Sequence, residues 1–131
     1  MMAGSVGYLM RLLLVEDDPM LVRPLARALE AAGHEIAGQA GSVAAALKEL
    51  GDTTFDAVVL DTNLRQQSAE PVAAELRARA VPFLLVTGYD ADQLEGSFSG
   101  APCLSKPYAV EDLLAAIDRL HRDASTHQAF G

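Results

Sequence analysis

Three apolar runs in this chain each end in a group that can handle a phosphoryl group or a divalent cation. Leu12-Leu13-Leu14-Val15 runs into Glu16-Asp17-Asp18, Ala57-Val58-Val59-Leu60 into Asp61, and Phe83-Leu84-Leu85-Val86 into Thr87-Gly88. A fourth, shorter run from Ala101 to Leu104 leads into Ser105-Lys106-Pro107. Carboxylates are hard oxygen ligands that suit magnesium, and a lysine ammonium is a compact point charge that suits a phosphoryl oxygen. A hydroxyl can donate to either kind of oxygen. Brought to one place, these groups would hold a divalent cation and a phosphoryl group together.

What could bring them together is the kind of element that each run forms. Short apolar runs rich in β-branched residues, without alternation, read as strands buried on both faces. Such strands belong to open parallel sheets, which carry their sites at the carboxyl ends of the strands. The segments between them read as helices. Asp18 caps one with Pro19 at its first position, and Leu21, Val22, Leu25, Ala26, Leu29 and Ala32 follow at helical spacing as far as Gly33. Residues 34–40 form a weaker, alternating strand suited to a sheet edge. Ser42 caps a short helix to Leu50, with Leu47 and Leu50 facing in. Arg65 to Glu70 is a polar loop, and Pro71 opens a helix to about Ala80. A short turn or two of helix falls around Ala91–Glu95, and Glu111 to His121 is an amphipathic helix with Leu113, Leu114, Ile117 and Leu120 inward. Five βα units with right-handed crossovers place helices on both faces of one parallel sheet. The domain spans 11–122, after a loose leader over 1–10 and before a polar, frayed tail over 123–131.

Composition narrows the function further. The 131 residues suffice for one domain with a real core. The net charge of -8, with scattered basic residues, argues against a nucleic-acid-binding surface. A single cysteine makes no internal disulfide and fits a reducing cytosol. No apolar stretch reaches membrane-spanning length, and the N-terminus lacks the basic region of a signal peptide. The expected location is therefore cytoplasmic. Eight arginines against two lysines, with abundant alanine, point to a bacterium with a GC-rich genome.

Taken together, the acidic pair, Asp61, Thr87 and Lys106-Pro107, each at the end of its own strand, resemble the receiver domain of bacterial response regulators. The resemblance covers residues 11–122. It implies a flavodoxin-like (βα)5 α/β fold with strand order 2-1-3-4-5, and a cis peptide bond before Pro107. It implies that Glu16 and Asp17 hold magnesium, Asp17 directly or nearly so and Glu16 through water. Asp18 then serves only the helix N-terminus. Asp61 is the implied phospho-acceptor, and a backbone carbonyl at Asn63 completes the metal ligands. Thr87 is the hydroxyl drawn to the phosphoryl group, Gly88 leaves room for it, and Lys106 pairs with its oxygens. A carboxylate becomes a useful nucleophile when it is positioned and the phosphoryl charge is neutralised.

Two departures from the family stand out. Cys103 occupies the strand-five position where the family carries an aromatic switch residue, and is read here as a small core residue. Leu64-Arg65-Gln66-Gln67-Ser68 replaces the usual proline and glycine after the acceptor. The stretch Pro82 to Tyr89 resembles the stand-alone receivers with a Pro-Phe-x-x-x-Thr-Gly-Tyr signature, the FAT GUY type, although Leu85-Val86 stands for the usual Phe-Ala. In that subset Tyr89 is a candidate to take over the missing aromatic's switching role.

The resemblance implies a single-domain response regulator. It would be phosphorylated by a sensor histidine kinase or a histidine phosphotransfer protein and catalyse only its own phosphorylation and dephosphorylation. Its output would be contact with a downstream protein, or service as a phosphate sink, as a monomer or weak dimer with no nucleic-acid or membrane partner. A phosphatase of the haloacid-dehalogenase type would need a second aspartate where Asn63 stands. A pseudo-receiver would lack part of the site.

Overall fold

The computed structural model describes residues 9–88 and 94–130, with side chains as far as 122. Five strands make one parallel sheet: β1 (Arg11–Val15), β2 (Glu35–Ala40), β3 (Ala57–Asp61), β6 (Phe83–Thr87) and β7 (Cys103–Ser105). Their order across the sheet is β2-β1-β3-β6-β7. With β6 and β7 as fourth and fifth main strands, this is the expected 2-1-3-4-5. Two further strands, β4 (Asn63–Leu64) and β5 (Gln67–Ser68), form a small antiparallel hairpin just after β3. The helices are α1 (Pro19–Ala31), α2 (Val43–Asp52), α3 (Glu70–Ala78) and α4 (Val110–Phe130), with a 3-10 turn at Gly96–Phe98.

The apolar runs alternate faces although their sequence does not alternate in polarity. Leu12, Leu14, Val59, Leu84 and Val86 pack beneath α1 and α4, with Leu25, Leu29, Leu113 and Ile117. Leu13, Val15, Val58, Leu60, Phe83 and Leu85 pack on the other face with α2 and α3, through Ala46, Leu50, Val72 and Leu76. A strand with both faces covered needs apolar side chains at every position, which is why periodicity vanishes from its sequence. β3 and β6 are buried throughout, whereas β2, on the edge, is only partly buried.

Several expectations need correction. Leu21 and Leu47 sit at helical spacing but are 44% and 37% exposed, because α1 and α2 each cover the sheet with a narrower stripe than their apolar residues would allow. Ala32 is exposed and Leu114 only partly buried. The loop expected over Arg65–Glu70 contains the turn and second strand of the β4–β5 hairpin, and α3 already begins at Glu70. α4 stays helical to Phe130, where a frayed tail was expected from residue 123; no glycine or proline interrupts the chain between Val110 and Phe130. The expected turn around Ala91–Glu95 lies mostly outside the described residues; Glu95 caps the 3-10 turn.

α1 and α3 end in the same way with different residues. Each closes with an amide reaching back five residues, His34 N to Leu29 O at 3.0 Å and Val81 N to Leu76 O at 2.9 Å. This closure puts the preceding residue in the left-handed region. After α1 that residue is Gly33, at φ 100°; after α3 it is Ala80, at φ 56°. A Cβ in that region costs about 1 kcal/mol. Ala80→Gly is therefore expected to stabilise the fold by about 0.5–1 kcal/mol, measured as a higher urea midpoint at unchanged slope.

Candidate functional site

Parallel pairing fixes which strand ends meet. β3 lies between β1 and β6, with Val15 opposite Leu60 and Asp61 opposite Val86. β7 flanks β6, with Thr87 opposite Ser105. Glu16, Asp17, Asp61, Thr87 and Lys106 therefore all emerge at one edge of the sheet. One carboxylate oxygen from each of Glu16, Asp17 and Asp61 lies within 4.8 Å of the others. Lys106 Nζ donates to Asp61 Oδ2 at 2.8 Å and lies 3.4 Å from Glu16 Oε1. The Asp61 and Glu16 side chains are only 8% and 7% exposed. The peptide bond between Lys106 and Pro107 is cis, as the resemblance implied.

Backbone amides orient the acids. Asp18 N donates to Glu16 Oε2 at 3.1 Å, Arg65 N to Asp17 Oδ2 at 3.0 Å, and Asn63 N to Asp61 Oδ1 at 3.1 Å. Asp18 does what was expected of it, accepting from Met20 N at 2.9 Å as the cap of α1. At Gly88 an added Cβ would meet no atom within 4 Å, which leaves open space beside Thr87.

The electrostatics reflect this crowding. Burial pushes the Glu16 carboxyl up to about 7; the Asp18 amide opposes that rise and the neighbouring Asp61 charge adds to it. Burial would also raise Asp17, but the hydrogen bond from Arg65 N and the one shared with Glu16 hold it below the usual carboxylate range. Burial would lower Lys106, yet its hydrogen bond and ion pair with Asp61, and the Glu16 charge, leave it raised and firmly protonated. The half-buried Tyr108 phenol is pushed up by burial and by the Glu16 charge.

Three carboxylates against one ammonium leave excess negative charge in a confined, all-oxygen donor set. That chemistry fits magnesium, with Glu16, Asp17 and Asp61 as the residues that would hold it.

The response regulator receiver domain family matches residues 12–118. This chain belongs to that family. The receiver is 39% identical over 118 residues to the transcriptional regulatory protein TcrA of Mycobacterium tuberculosis, a match covering 86% of this chain and 46% of TcrA. It thus spans about half the length of the curated relatives it matches. Its fold resembles the solution structure of SdrG from Sphingomonas melonis, with a TM-score of 0.74, 35% identity, and coverage of 86% of this chain and 96% of that one. It also resembles the response regulator TrrA of Thermotoga maritima, solved with Mg-BeF, with a TM-score of 0.74, 26% identity, and coverage of 84% and 97%. Receivers of two-component systems bind magnesium through an acidic cluster and accept phosphate from histidine kinases, and this receiver has such a cluster.

Some parts of the receiver were not anticipated. The β4–β5 turn holds Arg65 and Gln66 at φ 50° and 67°, a conformation that usually selects glycine or asparagine. Neither residue announces it, and the turn carries the amide that orients Asp17. Arg77 donates to Ser97 O and Ser99 O at 2.6 and 2.7 Å, and its guanidinium stands 5.4 Å from the Phe83 ring centre. Ser97 N donates to Glu70 Oε2 at 2.6 Å, so α3 ties down the 3-10 turn from two positions. Gly96 suits this place, with φ 60° and the Glu70 carboxylate 2.7 Å from where a Cβ would sit. Cys103 is partly buried against the core on the α2–α3 face. Tyr89, the candidate switch aromatic, lies outside the described residues.

The raised Glu16 pKa predicts a pH dependence. The folded chain binds the Glu16 proton more readily than the unfolded chain, whose carboxyl titrates near 4.5. Metal-free stability should therefore fall as pH rises from about 4.5 through 7. Glu16→Gln should remove that fall and raise the metal-free Tm at pH 8 by a few degrees, the equivalent of about 1 kcal/mol after allowing for solvent screening. Magnesium bound at this cluster should raise the wild-type Tm, more at pH 8 than at pH 5. Thermal melts with and without a chelator measure both effects.

Proposed function

We propose that this receiver takes a phosphoryl group from a phosphohistidine onto Asp61. The observation that supports this reading is the 2.8 Å bond from Lys106 Nζ to Asp61 Oδ2 inside a carboxylate cluster in which Asp61 is buried and Glu16 and Asp17 are partly buried. Asp61 closes a fully buried central strand, so its carboxylate is fixed in position and poorly solvated. A positioned, desolvated carboxylate is a competent nucleophile toward phosphorus.

In the proposed reaction an Asp61 carboxylate oxygen attacks phosphorus as the phosphorus–nitrogen bond of the donor breaks. The leaving imidazole takes a proton from solvent. Bound magnesium would neutralise phosphoryl charge, with Glu16, Asp17, Asp61 and the Asn63 carbonyl as the residues assigned to hold it. Lys106, already protonated and paired with Asp61, moves its contact to a phosphoryl oxygen. Thr87 then donates its hydroxyl to another. The chain catalyses its own phosphorylation and dephosphorylation and no other reaction.

The donor is a sensor histidine kinase or a histidine phosphotransfer protein. Output is contact with a downstream protein or service as a phosphate sink, by a monomer or weak dimer. Among the described residues no helix is long and apolar enough to cross a membrane, which supports a cytoplasmic location. The narrower likeness to the FAT GUY subset rests on residues 82–89, with Tyr89 assigned the switching role that Cys103 cannot fill.

Incubation with acetyl phosphate and magnesium should add one phosphoryl group, seen by intact mass and lost on hydroxylamine treatment. Asp61→Asn should fold normally and take up none. Uptake by Asp61→Asn at the wild-type level would overturn the assignment.

A further inference from the structure

We propose that Thr62 is a positioning residue that holds the Thr87 hydroxyl in its resting place and so sets how readily this receiver switches. The inference rests on the reading of Asp61 as acceptor and Thr87 as the group drawn to the phosphoryl. Thr62 directly follows the acceptor, and its Oγ1 donates to Thr87 Oγ1 at 3.0 Å. The two residues are 6% and 0% exposed, so bulk water does not compete for the bond.

Both backbones are pinned. Thr62 N donates to Val86 O at 3.2 Å, Thr62 O accepts from Ala69 N at 2.9 Å, and Thr87 O accepts from Lys106 N at 2.8 Å. The motion left to Thr87 is rotation about χ1. In this proposal the hydroxyl turns to donate to a phosphoryl oxygen on Asp61 and gives up the bond from Thr62. A buried hydrogen bond is costly to break without replacement, so this one weights the equilibrium toward the resting state.

Thr62→Val keeps the shape of the side chain and removes the donor; Thr62→Ser keeps the donor. The test is the beryllofluoride concentration that half-saturates the protein at saturating magnesium, read from amide NMR shifts. Loss of one neutral hydrogen bond from the resting state corresponds to half-saturation at about two- to tenfold lower concentration in Thr62→Val. Thr62→Ser should stay within about twofold of wild type. In a Thr87→Val background, Thr62→Val should change nothing, since the bond is already gone. Loss of packing alone would lower Tm without tightening beryllofluoride binding. Half-saturation by Thr62→Val at the wild-type concentration or above, in a wild type that does respond, overturns this role for Thr62 and leaves the phospho-acceptor reading standing. A wild type that never responds overturns both. Should Thr62→Val not fold, the χ1 couplings of Thr87 in the wild type decide: one resting rotamer, replaced on saturation, is expected, and an averaged resting χ1 overturns the proposal.

Discussion

The structure depends on holding three carboxylates together against their own repulsion. Glu16, Asp17 and Asp61 converge with Lys106 as the cation paired with two of them, and burial makes the crowding worse by removing the water that would screen it. The Glu16 carboxyl is raised to about 7, chiefly by burial and further by the Asp61 charge. The site does not assemble because its groups attract one another. It assembles because the strands beneath it have nowhere else to go.

The driving force lies in the layers below. β1, β3 and β6 are almost entirely buried, with apolar side chains feeding two separate cores. At about 25 cal/mol per Å2 of apolar surface removed from water, a few such side chains outweigh a local electrostatic penalty of a few kcal/mol. Register carries that energy to the site: once Val15 pairs with Leu60 and Asp61 with Val86, the acids meet. Backbone amides then tune the cluster. Asp18 N, Arg65 N and Asn63 N each bond a different carboxylate, supplying partial positive charge where few cationic side chains are near. The left-handed pair Arg65–Gln66 is the conformational cost of delivering one of them.

Beside Asp61, Thr62 and Thr87 touch through their hydroxyls, and the 3-10 turn at Gly96–Phe98 follows further along the chain. That turn is held against α3 by Glu70 and Arg77. Among the described residues of the stretch, Leu94 and Phe98 are the apolar side chains packed on the core, and the polar bonds that also hold it can be exchanged. Elements held in this way sit at the low end of local stability. The raised Lys106 stays protonated throughout, which makes it a constant in any such rearrangement.

The sequence alone determined the main strands, their shared carboxyl edge, the helix caps at Asp18 and Ser42, and the identity of Glu16, Asp17, Asp61, Thr87 and Lys106 as the groups at that edge. These were legible because they follow from local rules: unbroken apolar runs mark doubly covered strands, and parallel sheets carry chemistry at one end. The tertiary structure decided which atoms meet across gaps that no local rule spans. Arg65 N reaches Asp17 over 48 residues, Thr62 finds Thr87 over 25, and Lys106 approaches Glu16 over 90. It also decided that Leu21 and Leu47 stay at the surface, that a hairpin forms without glycine at its turn, and that Ala80 adopts a left-handed conformation. In each case packing and through-space partners overrode propensity. Periodicity shows that a residue can face a core, but only the neighbouring helix or loop determines whether that face is covered.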